Sequence, residues 1–366
     1  MFCIGLMSGT SLDGVDALLV EFSGDTMRVL AHQHQPFPAP LRDELLALNT
    51  PGSNDELHRA ALAANAIARS YADVVAQVLE ASGYGPRDIT ALGAHGQTVR
   101  HRPGEFDGCG YTSQLLNAAL LAEQTGIAVV SDLRSRDVAA GGQGAPLVPA
   151  FHRAQFGHTG NTGRDIAVLN VGGISNISLL GADGSTLGFD CGPGNCLMDL
   201  WVADHLGQPF DAAGAWAASG AVIPALLTAL LAEPYFAMPP PRSTGRDLFN
   251  RSWLTRHLAA EMRPQDVQAT LLELTAQSIV QSVPAVTQEL LVCGGGALNT
   301  ALMARLQTLL PTVNVLSTDA RGLPAMQVEA AAFAWLAMRF VQRLPGNLPA
   351  VTGAAGPRIL GAFYPA

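Results

Sequence analysis

Residues 4–18 read IGLMSGTSLDGVDAL: an apolar run, a loop of Gly, Ser and Thr, and a second apolar run. The pattern predicts a strand, a tight turn whose backbone N–H groups can cradle an anion, and a return strand. A second copy starts at residue 166, where a strand over 166–171 leads into Gly172-Gly173-Ile174-Ser175-Asn176 and then into strands over 177–180 and 186–189. One pattern used twice predicts a duplicated architecture. Elsewhere strands and helices alternate, as in an α/β protein: strands over 2–7, 15–22, 27–33, 89–94 and 127–132, and a long amphipathic helix over 55–81. After the second copy come a helix over 267–286, a strand over 289–293, a helix from Asn299, a strand over 313–317 and a helix over 328–343.

The length of 366 residues exceeds what one core usually supports, and 48% hydrophobic with 14% charged residues is a globular composition, so two domains are expected. A net charge of −9, with 21 scattered basic residues, excludes a nucleic-acid partner. The opening MFCIGLM lacks the pattern of a secretory signal, which predicts a cytoplasmic protein. Residues 212–232 carry no charge, but Gly214, Gly220 and Pro224 break them into a loop and one short buried helix rather than a membrane span. Five cysteines without paired metal-ligand spacing predict reduced thiols.

Four small-residue loops invite a chemical reading: SGTSLDG at 8–14, GGQGAP at 141–146, VGGISN at 171–176 and CGGGALN at 293–299. Any one is explained by a tight turn. Two hairpin loops plus a strand-to-helix loop point instead to an anion clamped between two halves, with the junction within residues 139–149 or slightly earlier. The chain contains no lysine. That removes the P-loop NTPases, the protein-type kinases and the pyridoxal enzymes, each of which depends on one. A dinucleotide site is the weaker alternative, because no strand is followed by G-x-G-x-x-G in the required setting.

The hairpin at 4–20 together with GAHGQTVRHRP (93–103), SDLRSRDVAAGGQGAPLVPAFH (131–152), NVGGISNIS (170–178), GFDCGPGNCLMD (188–199), VCGGGALN (292–299) and VEAAAFAWLA (328–337) resembles the anhydro-N-acetylmuramic acid kinase family. The resemblance covers nearly the whole chain. It implies an α/β fold of two domains with duplicated ribonuclease-H-like (actin-like ATPase) topology and an interdomain ATP cleft, spanning 1–135 with about 350–366, and 136–349. It further implies ATP and Mg²⁺, an anhydro amino sugar as substrate, no membrane partner and a homodimer. The implied reaction opens the 1,6-anhydro bridge of anhydro-N-acetylmuramic acid with water and phosphorylates O6. Nucleotide contacts fall on Gly9, Thr10, Ser11, Asp13, Gly14 and Asp16 in the first hairpin, Gly172, Gly173 and Asn176 in the second, and Gly294, Gly295, Gly296 and Asn299 in the third loop. Sugar contacts fall on His95, Gln97, Arg134, Arg136 and Glu329, and an arginine is suited to the lactyl carboxylate. The wider superfamily usually has an acid where Met7 and Asn170 stand, which leaves Asp13 or Asp16 for Mg²⁺. The alternatives are an ordinary sugar kinase and an actin-like ATP switch.

Glycoside cleavage normally needs two carboxyl groups. If phosphorus captures the departing O6, one base acting on water is enough. Asp190, after the strand at 186–189 and before the turn Gly192-Pro193-Gly194-Asn195 that opens a helix, is the expected base, its ionised form favoured by the nearby helix dipole. The alternative is a cap for that turn. Asp199, inside the helix, is expected to be structural. His32 and His34 are expected to be ordinary surface or core residues.

Overall fold

The computed structural model describes all residues except 10, 25, 53 and 158–162. The chain opens as an antiparallel meander of β1 (Phe2–Met7), β2 (Gly14–Ser23) and β3 (Thr26–Pro36). Helices α1 (Ala39–Leu48) and α2 (Glu56–Ser82) follow. Ile67, Tyr71, Val74 and Val78 of α2, spaced three or four apart, are all fully buried, the stripe that a helix covering a sheet requires. Next come β4 (Ala91–Ala94), the separate hairpin β5 (Gln97–Pro103) and β6 (Gly110–Leu115), α3 (Ala118–Thr125), β7 (Val129–Ser131), α4 (Ser135–Val138) and α5 (Val148–Phe156).

A second sheet then forms from β8 (Ile166–Val171), β9 (Ile174–Leu180) and β10 (Thr186–Pro193). It is covered by α6 (Cys196–Leu206), the short α7 (Ala215–Ala218), α8 (Pro224–Leu231) and α9 (Arg251–Thr255), and the longer α10 (Pro264–Val280). β11 (Glu289–Cys293), α11 (Thr300–Leu309) and β12 (Asn314–Ser317) complete it. The chain then returns to the first sheet through α12 (Val328–Val341), α13 (Pro349–Thr352) and β13 (Ala362–Tyr364).

The strand orders are β13-β7-β4-β1-β2-β3 and β10-β9-β8-β11-β12. In each, three antiparallel strands continue into two parallel ones, the ribonuclease-H-like order, and the first sheet adds β13 at its edge. The duplication reaches single residues: Met7, Asp16 and His34 are in register across one meander, and Asn170, Asn176 and Asp190 across the other.

The compact units are Met1–Gln155 with Gln327–Ala366, and Phe156–Met326. The expected junction at residues 139–149 therefore lies inside the first unit, and α12 belongs to the first unit rather than the second. The reason is steric. A Cβ on Gly5 would strike the Ala330 carbonyl and one on Gly93 the Phe333 carbonyl, so the α12 backbone rests directly on β1 and β4. Segment 212–232 forms a 3₁₀ turn, α7 and α8, two short helices where one was expected. Among the described residues no helix is long and apolar enough to cross a membrane. None of the five cysteines forms a disulfide.

Candidate active site

In the second unit β10 runs four residues beyond its expected end, so Asp190 lies inside the strand rather than after it. It faces Asn176, which faces Asn170, giving a polar row across β10, β9 and β8. A bulge follows between Asp190 and Gly192, whose φ of 149° suits glycine. The Asp190 carboxylate is held through one oxygen: Oδ2 accepts from Ser243 Oγ and from the Thr244 N–H, both at 3.0 Å. Its backbone is pinned as well, because the Asp190 carbonyl accepts from Tyr235 OH at 2.6 Å and from Arg242 Nε at 3.3 Å, and the Asp190 N–H donates to the Arg242 carbonyl. Arg242 is buried, and its Nη1 donates to the carbonyls of Tyr235, Phe236 and Met238. Burial raises the pKa of Asp190 above the ordinary carboxylate value, and the bonds from Thr244 and Ser243 only partly offset this.

The turn after Asp190 does not use its carboxylate. The N–H groups of Gly194 and Cys196 donate to the Gly173 carbonyl and that of Asn195 to Gly172. The alternative of Asp190 as a turn cap is therefore not what the geometry shows, and the groups that hydrogen-bond its carboxylate are Ser243 and Thr244. Since a peptide is planar, turning these two carbonyls toward α6 directs the N–H groups of Gly173 and Ile174 the other way. Asp199, one turn into α6, has its pKa pushed up to about 6, chiefly by burial; Arg246 opposes the rise and Asp211 adds to it.

The third loop is built for close approach. A Cβ on Gly294 (φ +75°) would strike Asn170 Oδ1, and one on Gly296 would strike the Val171 side chain. Gly295 and Asn299 line a pocket of about 170 Å³ together with Asn195, Asp199, Phe210 and Leu298. Asn299 also caps α11, its Oδ1 accepting the Leu302 N–H at 3.0 Å.

In the first unit the hairpin loop is braced from below. Buried Ser8 shares a 2.8 Å hydrogen bond with Tyr71 OH and donates to the Gly96 carbonyl, while Gln97 Nε2 donates to the Gly9 carbonyl at 3.0 Å. Gly14 is required because a Cβ there would meet the Gln35 carbonyl. Ser11 Oγ donates to Asp13 Oδ1 at 2.8 Å, and both residues are exposed. Thr10 lies outside the described residues. Asp16 Oδ1 faces His32 Nε2 at 3.0 Å and His34 Nδ1 at 3.2 Å, so these histidines, expected to be ordinary, both bracket a candidate metal acid.

The sugar-side candidates divide by exposure. His95 is buried against the Phe333 ring, with Nδ1 against the Ser8 carbonyl at 3.2 Å and Nε2 against Arg134 at 3.0 Å. Burial, then the Arg134 charge, push its pKa down to about 3, so the ring is neutral and accepts from Arg134 through Nε2. With both nitrogens used, His95 orients Arg134, whose Nη1 also donates to the Gly144 carbonyl. Gln97 is likewise buried, and its Oε1 has no partner. Arg136 is exposed and makes no ion pair among the described residues. Glu329, in the first turn of α12, has its pKa raised by burial, with Arg134 opposing and the charges of Asp16 and Asp13 adding. Asp13, Asp16, Glu329 and Arg134 thus share one electrostatic neighbourhood.

The groups that hold Asp190, in PPPRSTG at 239–245, were not anticipated. A run of small polar residues after three prolines was the available signal.

Two ribonuclease-H-like sheets carrying glycine hairpins at corresponding places define a two-domain protein of the actin-like ATPase fold. The chain belongs to the anhydro-N-acetylmuramic acid kinase family, whose model matches residues 1–366. Curated relatives bearing that name include those of Variovorax paradoxus (60% identity, 99% of this chain, 98% of the relative) and Albidiferax ferrireducens (58%, 99% of each). That of Nitrosomonas europaea is 54% identical over the whole of both chains. The protein is therefore an enzyme, an ATP-using phosphotransferase of cell-wall amino-sugar recycling.

Proposed function

We propose that Asp190 is the general base for the water that opens the 1,6-anhydro bridge, and that the O6 released is captured by the γ-phosphoryl group of ATP. The observation that carries this is the one-sided grip on the carboxylate. Ser243 and Thr244 hold Oδ2, while Oδ1 has no hydrogen-bond donor among the described residues. A fixed carboxylate with one oxygen free and a raised pKa is suited to taking a proton from water. The new C1–O bond forms with that water oxygen as the C1–O6 bond breaks, and the O6 electron pair forms the O–P bond as ADP leaves. The water proton moves to Asp190, so no acid is needed on O6.

Gly9, Ser11 and Gly14 in the first hairpin, and Gly172, Gly173 and Asn176 in the second, are assigned to the phosphates. Gly294, Gly295, Gly296 and Asn299 are assigned to the nucleoside, in the pocket bounded by Phe210 and Leu298. Mg²⁺ fits the first hairpin, where exposed Asp13 offers a hard oxygen in a neighbourhood of three carboxylates and one arginine. Asp16, whose Oδ1 already faces two imidazoles, is assigned to the rim of that site. The ion would neutralise phosphate charge. Arg134, positioned by His95, and exposed Arg136 are assigned to the lactyl carboxylate, and Glu329 with Gln97 to sugar hydroxyls. The reading also includes a cytoplasmic location, which cell fractionation would test, and a homodimer, which sedimentation of the purified enzyme would test.

Reaction in ¹⁸O-water tests the chemistry. The label is expected in the C1 hydroxyl of N-acetylmuramic acid 6-phosphate and not in its phosphate; label confined to phosphate would overturn the coupled mechanism.

A further inference from the structure

In a chain without lysine the only permanently charged basic side chains available to the phosphates of ATP are arginines, and the segment Arg242-Ser243-Thr244-Gly245-Arg246 contains two with opposite fates. Arg242 is buried and spends its N–H groups on backbone carbonyls and Ser282 Oγ. Arg246 is exposed and makes no hydrogen bond or ion pair among the described residues. Its guanidinium nevertheless lies against the second hairpin: a Cβ on Gly173 would sit 2.9 Å from Nη2 and 3.3 Å from Nε. The missing side chain of Gly173 is what allows that approach.

We propose that Arg246 grips the phosphate chain of ATP at the Gly172–Gly173 hairpin, the position that lysine takes in other phosphate loops. The inference rests on reading that hairpin as a phosphate site and adds to it the cation. A guanidinium offers its donors in a planar fork that matches two phosphate oxygens at once, and an unpaired one is free to do so. The same short segment holds the Asp190 carboxylate through Ser243 and Thr244, so the groups that fix the base lie three and two positions before the group that meets the phosphate. Asp199, within reach of the Arg246 charge, keeps the guanidinium from being the sole charge in its surroundings.

The test compares Arg246→Ala, Arg246→Lys and Gly172→Ala in the full-length enzyme, measuring calorimetric affinity for ADP and for adenosine, then kcat and KM with ATP. A Cβ at Gly172 finds only the Ile174 carbonyl, at 3.7 Å, so that variant probes the hairpin without moving Arg246. Arg246→Ala should leave adenosine affinity and melting temperature unchanged, weaken ADP about tenfold and lower kcat about 10² to 10³. Arg246→Lys should recover ADP affinity better than kcat, since a point charge replaces the fork. If Gly172→Ala weakens ADP while Arg246→Ala leaves ADP affinity and kcat within about threefold, the role of Arg246 is overturned and the hairpin reading stands. If neither affects ADP, the hairpin reading itself fails. Equal loss of adenosine and ADP binding, or an effect confined to the KM of the sugar, also overturns the proposal.

Discussion

Asp190 is distinguished from the other acids by what touches each of its oxygens, and this sets its predicted behaviour. Asp190→Asn keeps the size and the hydrogen-bonding reach but cannot take a proton, so turnover should fall about 10² to 10⁴. ADP affinity should stay within a few-fold and melting should be retained; residual activity above one-tenth of wild type in a folded, ADP-binding variant would remove Asp190 from the mechanism. As the proposed base, Asp190 must be ionised to act. Its raised pKa therefore places the acid limb of kcat/KM above the ordinary aspartate value of 3.8. Removing the Ser243 hydroxyl, which stabilises the ionised form, should move that limb further up, and a pH profile of Ser243→Ala reads this directly. The sequence singled out Asp190 through the family motif around it. Its support was not, because Ser243 is 53 residues away along the chain.

At the scale of elements, two arrangements carry predictions. The loop at 141–146, one of the four small-residue loops, is tied around Asp137. This fully buried carboxylate accepts from Asn347 Nδ2 at 2.6 Å, Thr352 Oγ1 at 2.8 Å and the Gly144 N–H at 2.8 Å. Gln143 N–H donates to the Thr352 carbonyl and Ala355 N–H to Ala140, so the loop and the segment around α13 form one knot. Asp137→Ala strands buried donors and should cost about 3 kcal/mol in denaturant unfolding, with faster amide exchange over 347–355. Exchange unchanged there would show that the knot is not held by Asp137. The second arrangement is the contact of α12 with β4. Gly93→Ala sets a methyl group against the Phe333 carbonyl and should destabilise by about 2 to 3 kcal/mol, read as a lowered denaturation midpoint. Periodicity revealed that α12 is an apolar helix. It carried no information about which sheet the helix covers, because every face of VEAAAFAWLA is apolar except at Glu329.

For the molecule as a whole, burial of ionisable groups sets the pH dependence of stability. His95 and His152 both have pKa values pushed down to about 3, burial being the main cause. The unfolded chain takes up protons near pH 6.5 that the folded chain refuses. The stability these residues contribute is therefore present above pH 6.5 and lost as pH falls toward 3, at up to about 1.4 kcal/mol per histidine per pH unit. Asp199 acts in the opposite sense, since its contribution is present below 3.8 and lost as pH rises through about 6. Urea unfolding at pH 7 and pH 5 should show a net loss at pH 5, and His152→Asn should reduce it; equal midpoints in the wild type would contradict the buried-histidine account. By itself the sequence determined the duplicated hairpins, ten of the thirteen strands and the longest helices, but not the β5–β6 hairpin or β13, together with the absence of lysine and the family. These are properties of consecutive residues, in which side-chain period, glycine sterics and motif spacing are written directly. Tertiary structure alone decided that α12 joins the first unit, that Asp137 is tied to Asn347 from 210 residues away, that one oxygen of Asp190 is left free, and that Arg242 is locked while Arg246 is not. Burial, hydrogen bonding and pKa depend on which distant segments meet, and no local pattern of residues specifies that.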